Sequence, residues 1–247
     1  MDPANSSVAI VGAGDFIGAA IARRFAAGGY RVHGGRRNGD QLAGLTAEIA
    51  ACGGRFTGHT LDARQEDSVT AFLDAAEADA PLAACIFNVG ANVQFPLLET
   101  SERVFRKVWE MACYGGFLTG REAARRMLPR GAGSIFFTGA TASLRGGAGY
   151  AAFASAKAGL RLLAQSMARE LGPQGLHVAH LVIDAGVDTA FVRQRIAAAR
   201  GGDALAALPP DTLMDPASIA EAYWQLHHQP RDAWTHEMDL RPFGESW

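Results

Sequence analysis

Residues 8–30 read VAIVGAGDFIGAAIARRFAAGGY, and this stretch carries the strongest indication of how the chain folds. It begins with a short apolar run typical of a buried strand, passes through a glycine-rich turn and ends in an amphipathic helical pattern. Gly12, Gly14 and Gly18 allow the backbone to approach a pyrophosphate, which the free N–H groups at the start of the helix would stabilise. A tight turn without a ligand is the alternative interpretation. The position of the turn, between the first strand and a helix, favours a dinucleotide.

Outside this stretch, short β-rich apolar runs alternate with longer helical patterns along the chain. Such alternation predicts right-handed crossovers and a parallel sheet with helices on both faces. The predicted fold class is α/β, a three-layer doubly wound parallel sheet of the Rossmann type, in a single domain over residues 1–247. The segment 193–213 mixes a helical start with glycine and proline breaks, and we expect it to be a mobile insertion on the substrate side. The predicted strands span residues 7–12, 30–35, 54–62, 83–90, 133–139, 176–184 and 234–241.

Composition and charge argue against several classes of protein. The formal net charge is −2, so we expect neither nucleic acid nor a membrane surface as a partner. Cys52, Cys85 and Cys113 lack the spacing of metal ligands, and their odd number suggests reduced thiols. The start of the sequence has no signal-peptide pattern, and no apolar run approaches the ~20 residues of a membrane helix. We expect a cytoplasmic protein without a metal site.

The glycine turn resembles that of the short-chain dehydrogenase/reductase family, and the resemblance runs over nearly the whole chain. That family usually has Gly-x-x-x-Gly-x-Gly at this place. The chain matches the pattern at Gly12 and Gly18 and has Phe16 at the middle glycine, while Gly14 could restore the close approach of the backbone. The resemblance implies that these four residues and Ile17 bind the cofactor.

The end of the second predicted strand bears on the choice of cofactor. A carboxylate there would bind the ribose hydroxyls of NAD and repel a 2′-phosphate, but Gly34 and Gly35 occupy that neighbourhood. Arg36 and Arg37 follow, and a guanidinium can bind a phosphate through a planar fork of donors. We therefore expect NADP(H) to be preferred, with NAD(H) possible. Asp15 argues the other way because a carboxylate close to phosphates is unfavourable, and ordinary surface charge is the alternative interpretation of the arginines.

Four other residues match positions on the cofactor side of the family's fold. Asp62 follows the third predicted strand, where the family has an acidic residue that accepts a hydrogen bond from the adenine amino group. Asn88 and Gly90 match the family's Asn-Asn-Ala-Gly stretch, although Asn88 could also simply pin the end of its strand. Thr189 matches the threonine that contacts the nicotinamide carboxamide, a role compatible with capping the next helix.

The chemical centre departs from the family pattern. In the family, a tyrosine transfers the proton, a lysine four residues later assists it and binds the nicotinamide ribose, a serine orients the substrate and an asparagine positions a relay water. Lys157 matches the lysine, whereas Phe153 stands at the tyrosine position. Ala140 and Ala112 fall at the serine and asparagine positions. Three of the four polar groups are therefore apolar, and Lys157 is the one retained.

Other side chains could move the proton in place of the tyrosine. Tyr150 lies about 10.5 Å along the helix axis from Lys157 and could reach into a pocket if the helix begins at or after residue 150. Thr141 is the hydroxyl nearest to the Ala140 position. Lys157, Tyr150 and Thr141 are therefore the catalytic candidates, and the lysine could itself donate a proton if a dry site lowered its pKa. Weaker candidates are Thr138, Ser143 and Tyr114.

Three functions remain open. We favour an NADP(H)-linked oxidoreductase that acts on a small carbonyl or alcohol substrate by an unconventional proton route. The second is a catalytically idle dinucleotide-binding protein, a sensor or a subunit partner. The third is elimination or isomerisation in the same pocket. Helices corresponding to 101–128 and 153–171 often build a four-helix subunit contact in the family, so the resemblance also implies a homodimer or homotetramer.

Overall fold

A single parallel sheet organises the chain. A computed structural model describes residues 2–244, so Met1 and residues 245–247 of the predicted domain lie outside the described part. The sheet of this part has seven strands in the order β3-β2-β1-β4-β5-β6-β7, and each neighbouring pair is parallel. Every predicted strand is confirmed, with small changes at its ends. The strands are β1 Ser7–Val11, β2 Arg31–Arg36, β3 Arg55–Thr60, β4 Leu82–Phe87, β5 Gly133–Thr138, β6 Leu176–Ile183 and β7 Glu237–Leu240.

Helices cover both faces of the sheet. Within residues 2–244 they are α1 Ile17–Ala27, α2 Ala43–Ala51, α3 Glu66–Asp79, α4 Glu102–Trp109, α5 Gly115–Met127, α6 Ala151–Leu171, α7 Ala190–Arg200, α8 Asp203–Ala206 and α9 Pro216–His227. Val8 and Ile10 of β1 pack with α1, α2 and α9, whereas Ala9 and Val11 face α3, α5 and α6. Strands β1, β4 and β6 are buried along their whole length, as covering on both faces requires. The structure confirms the predicted three-layer, doubly wound single domain.

The order of the strands creates a crevice at one edge of the sheet. From β1 the chain builds outward through β2 and β3, then returns to the other side of β1 with β4. Neighbouring loops therefore leave the carboxyl ends of β1 and β4 in opposite directions, which opens a space where ligands bind in doubly wound folds. The glycine turn before α1 and the loop before α6 both reach this space.

The predicted helical stretch 101–128 is interrupted. A π turn, Glu110–Tyr114, separates α4 from α5. Ala112 and Cys113 of this turn are buried against Phe153 in a small apolar cluster. A single π turn does not change the apolar periodicity enough to be recognised from the sequence.

The segment 193–213 contains more helix than its composition suggests. It holds most of α7 and all of α8, which are separated at Gly201, where φ is +88°. The mobility of this segment stays a prediction. In the described part of the chain, none of the helices combines the length and the hydropathy of a membrane span.

Candidate functional site

Two adjoining cavities lie at the carboxyl edge of the sheet. The larger, the inner lobe, has a volume of about 650 Å³ and is bounded by Phe153 and Lys157 of α6. The smaller, the outer lobe, has a volume of about 540 Å³ and extends to Arg37 and Asp62. The three main catalytic candidates and every cofactor-binding candidate from the sequence line one or both lobes. The walls shared by the two lobes are formed by Gly12, Gly14, Asn88, Val89 and Gly90.

The glycine turn comes so close to its neighbours that two of its glycines have no room for a side chain. Gly12 has φ of +94°, and a Cβ there would lie 2.8 Å from the carbonyl oxygen of Asn88. A Cβ on Gly18 would lie 2.5 Å from the carbonyl oxygen of Gly12. Gly14 differs, because a Cβ on it would meet no atom within 4 Å. Gly14 therefore opens onto the cleft, beside the partly exposed ring of Phe16.

Asn88 joins the ends of three strands. Its backbone N–H donates to Val11 (2.8 Å), and its side-chain amide donates to the carbonyl oxygen of Gly12 (3.1 Å). The hydroxyl of Thr138 donates to the Asn88 amide oxygen (3.1 Å) and is also bonded to the Tyr223 hydroxyl (2.7 Å). Asn88 therefore fixes the glycine turn relative to β4 and β5, the pinning role considered from the sequence.

In the outer lobe, the charges are partly neutralised by one another. Arg36 donates to Asp15 of the glycine turn at 2.6 Å, a pair that the sequence reasoning missed. Arg64 binds Asp62 at 2.6 Å, and its hydrogen bonds hold the pKa of that carboxyl below its usual value. Arg37 lines the lobe and makes no hydrogen bond or ion pair within residues 2–244. Arg37 is therefore the cation of this lobe best able to bind an added anion.

Lys157 is the buried cation of the inner lobe. Its side chain is 2% exposed, and Nζ donates to the carbonyl oxygens of Thr138 (2.8 Å) and Val89 (3.2 Å). The centroid of the Phe153 ring lies 5.9 Å from Nζ. Because burial removes water from the ammonium and no carboxylate in the described residues pairs with it, the pKa of Lys157 is lowered to about 8.

Lys157 is surrounded by apolar side chains at the positions where the family has polar ones. Phe153 and Ala140 line the inner lobe, while Ala112 is fully buried in the π turn and does not reach it. His180 of β6 is close enough to Lys157 to interact with it electrostatically, and its ring nitrogens have no hydrogen-bond partner within residues 2–244. Burial of the ring is the main cause that lowers the pKa of His180 to about 4, and the positive charge of the nearby Lys157 is the second. The ring is therefore neutral at pH 7.

The remaining hydroxyl groups differ in how they are held. Tyr150 immediately precedes α6, and its hydroxyl lies 3.3 Å from both Gln94 Oε1 and a guanidinium nitrogen of Arg195. Thr141 lines the inner lobe and makes no side-chain hydrogen bond within residues 2–244. The weaker candidates are less available: Thr138 and Ser143 are already bonded, and Tyr114 stacks between Trp109 and Phe117 outside both lobes.

One ion cluster and one hydrogen-bonded cluster near the inner lobe could not be predicted from the sequence. Asp184, 1% exposed, binds Arg145 from the loop before α6 (3.3 Å) and Arg241 after β7 (2.9 Å). Arg195 of α7 donates to Gln94 and Tyr150. Thr189 caps α7 through its hydroxyl, which accepts from Val192 (3.1 Å), as the alternative interpretation allowed.

Comparison with known families accounts for this arrangement. A family model described as short chain dehydrogenase matches residues 6–199, which include the glycine turn, Asn88 and Lys157. The chain belongs to the short-chain dehydrogenase/reductase family. The family predicted from the sequence is thereby confirmed.

Relatives of this short-chain dehydrogenase/reductase include proteins of known structure. A short-chain dehydrogenase from Rhodopseudomonas palustris is 59% identical, with a TM-score of 0.84 over 98% of this chain and 100% of that one. An alcohol dehydrogenase from Thermococcus sibiricus, complexed with 5-hydroxy-NADP, is 27% identical, with a TM-score of 0.83 over 98% of each chain. The 3-oxoacyl-[acyl-carrier-protein] reductase MabA of Mycobacterium tuberculosis is 29% identical over 215 residues, 87% of this chain and 82% of that one. These relatives are oxidoreductases.

The burial of Lys157 predicts a pH-dependent stability of this short-chain dehydrogenase/reductase. The folded chain releases the lysine proton near pH 8, whereas the unfolded chain holds it until about pH 10.5. The unfolded state therefore binds more protons between these values, and folding becomes more favourable as the pH rises. Between pH 7 and 9.5 we expect the free energy of unfolding to rise by about 2 kcal/mol relative to a Lys157→Met variant.

Urea denaturation of both proteins at several pH values measures this difference. Lys107→Met, which changes an exposed lysine of α4, is the matched control and should keep a constant difference from the parent chain. A constant difference for Lys157→Met as well would contradict the expected lowering of its pKa.

Proposed function

We propose that the chain is an NADP(H)-dependent oxidoreductase that transfers a hydride to or from a small carbonyl or alcohol substrate, with a proton donor other than the family's tyrosine. The observation that carries this proposal is the pair of adjoining cavities that extends from Arg37 past the glycine turn to the buried Lys157. Its outer lobe is polar and cationic, as a phosphorylated nucleotide requires. Its inner lobe is mostly apolar and ends at a protonatable amine.

A dinucleotide fits the residues present. Gly14 provides open space between the two lobes, at the point where a pyrophosphate would cross from one lobe to the other. The start of α1 lies beside this point and offers backbone N–H groups and a positive dipole. Asn88 holds the turn in this shape through Gly12. When bound, the nicotinamide supplies or accepts the hydride, and Lys157 and Thr189 would hold its ribose and carboxamide.

The preference for NADP(H) rests on the end of β2. No carboxylate follows Gly35, and Arg36 and Arg37 come next in the outer lobe. Because Arg36 is ion-paired with Asp15, we propose that the guanidinium of Arg37 binds the 2′-phosphate. The complex of the T. sibiricus relative with 5-hydroxy-NADP supports this choice.

The proton route starts from groups that line the inner lobe. Tyr150 has a phenolic hydroxyl whose oxygen accepts from Arg195, and a cation at that oxygen stabilises the negative charge left when the proton leaves. Thr141 offers a second hydroxyl without a competing partner in the described chain, and would orient the substrate oxygen. Lys157 completes the set as a buried amine that holds or releases a proton near pH 8. We propose that Tyr150 donates the proton, with Arg195 of the 193–213 segment holding its hydroxyl.

Binding measurements test the cofactor. We expect NADPH to bind about tenfold more tightly than NADH, and Arg37→Ala to weaken NADPH binding by about tenfold while leaving NADH binding unchanged. Arg169→Ala is the matched control, because Arg169 is exposed near the end of α6 that points away from the cleft. Titration by nucleotide fluorescence measures all three proteins. Equal binding of the two nucleotides would remove the NADP(H) preference, and absence of binding would remove the proposed function.

A second function has a specific observation in its favour. Phe153 and Ala140 line the inner lobe without a hydroxyl, so the chain also suits a dinucleotide-binding protein without catalysis. Tight NADPH binding without turnover of a broad panel of aldehydes, ketones and alcohols would favour this function over the first.

We also propose that the chain forms a homodimer or homotetramer through α4, α5 and α6. Large apolar side chains are exposed on these helices, and exposed apolar patches are typical of protein–protein contacts. They are Phe105, Trp109, Phe117 and Leu162.

A further inference from the structure

The amine of Lys157 has an unusual set of hydrogen-bond partners. Two backbone carbonyls, of Thr138 and Val89, accept from Nζ at 2.8 and 3.2 Å, and no carboxylate in the described residues pairs with it. A neutral amine has two N–H donors and one lone pair. The two carbonyls therefore satisfy both N–H donors of a neutral amine, whereas an ammonium would keep a third N–H without a protein partner in the described residues.

The titratable groups nearest to Lys157 do not offset its burial, which is the main cause of its lowered pKa. Cys113 of the π turn has its pKa raised by burial, so it is a neutral thiol at pH 7. His180 of β6 is neutral as well, with a pKa of about 4. No anion among these neighbours holds the proton on Nζ. With the Lys157 pKa near 8, about one tenth of the amine is neutral at pH 7, roughly 300 times the fraction for a lysine of ordinary pKa.

The space next to Lys157 suits a small organic molecule. The inner lobe has a volume of about 650 Å³, and most of its walls are apolar. Phe153, Ile183 and Val187 belong to these walls. A desolvated lysine beside an apolar cavity is one of the arrangements that activate an amine as a nucleophile. The two carbonyls occupy the N–H groups of Nζ, so the lone pair is directed away from them.

We propose that Lys157 also binds aldehydes and ketones covalently, as an imine, in the absence of the dinucleotide. The amine nitrogen attacks the carbonyl carbon and a C–N bond forms. The carbonyl oxygen then leaves as water together with the two amine protons, and a C=N bond remains. No electrons are gained or lost in this step, so no oxidant or reductant is required.

This activity goes beyond hydride transfer, and the two compete for the same space. The proposed dinucleotide would contact Lys157 from the inner lobe, so a bound nucleotide would exclude the adduct. The free chain would thus be a carbonyl-binding protein, and the nucleotide-bound chain an oxidoreductase.

Reductive trapping tests the proposal with an internal control. The sequence has two lysines, and Lys107 of α4 is exposed. The chain is incubated with butanal and sodium cyanoborohydride at pH 7, which reduces an imine to a stable butylamine, and the modified peptides are measured by mass spectrometry. We expect the Lys157 peptide to be labelled at least about tenfold faster than the Lys107 peptide. A Lys107→Arg variant leaves Lys157 and the N-terminal amine as the remaining aliphatic amines, and should be labelled at Lys157 at the parent rate.

Labelling of Lys157 no faster than Lys107, in a chain shown to be folded by circular dichroism, overturns the proposal. Added NADPH separates this outcome from a failure of the proposed function. Labelling that NADPH suppresses supports both proposals. Labelling that NADPH leaves unchanged, without nucleotide binding, supports the imine and removes the oxidoreductase. Nucleotide binding without labelling of Lys157 supports the oxidoreductase and removes the imine.

Discussion

The Phe153→Tyr variant is expected to reduce aldehydes and ketones about 10²–10⁴-fold faster than the parent chain, the usual contribution of a positioned acid. Phe153 lines the inner lobe, so a hydroxyl added to its ring enters the space where a substrate carbonyl would lie. Lys157 follows one helical turn later, and its Nζ is already 5.9 Å from the ring centroid. The amine is therefore placed to assist the new hydroxyl. Oxidation of NADPH, followed by absorbance with a panel of carbonyl substrates, measures the gain.

Two further variants show whether the gain comes from the hydroxyl. Phe153→Leu keeps an apolar side chain at this position and should leave the rate at the parent level. Adding Ala140→Ser to Phe153→Tyr should raise the rate again, because Ala140 also lines the inner lobe. If Phe153→Tyr binds NADPH as the parent does and gains no activity, the inner lobe is not arranged for this hydride transfer.

The second large effect is expected at the glycine turn. Gly18→Ala places a methyl group 2.5 Å from the Gly12 carbonyl oxygen and 2.7 Å from the Ala13 Cα, and backbone atoms cannot move aside as a flexible side chain can. We expect a loss of stability of about 2–4 kcal/mol together with loss of NADPH binding, because α1 is displaced from the turn. Urea denaturation and nucleotide titration measure the two effects.

Gly14→Ala is the matched substitution in the same turn. Its methyl group meets no protein atom within 4 Å, so the free energy of unfolding should change by less than about 1 kcal/mol. The same methyl group points into the space between the two lobes, so NADPH binding should fall by about tenfold or more. Gly14→Ala with unchanged NADPH affinity would show that the pyrophosphate does not cross at this point.

The strands and the glycine turn could be predicted because they depend on local patterns. Each buried strand is a short apolar run between helical stretches, and a sheet covered on both faces keeps such runs nearly continuous. Gly12 and Gly18 are required by contacts within the turn itself. Phe153 could be placed because its spacing from Lys157 within one helix is fixed.

The contacts that the sequence did not reveal join residues far apart in the chain. Asp15 pairs with Arg36, and Arg195 reaches Tyr150 and Gln94. Each depends on how loops from different strands meet, and a charged residue in a loop gives no local sign of its partner. The π turn at Ala112 was missed for another reason, because it changes the helical phase without changing the composition.

The hydrogen bonds that hold the cleft in shape do not involve the three positions that lack a proton-transfer group. Asn88 ties the glycine turn to β5 through Thr138, and Lys157 holds the same Thr138 by its carbonyl. None of these bonds involves position 112, 140 or 153. Substitutions at these three positions can therefore add or remove proton-transfer groups while the hydrogen bonds that support the cleft are kept.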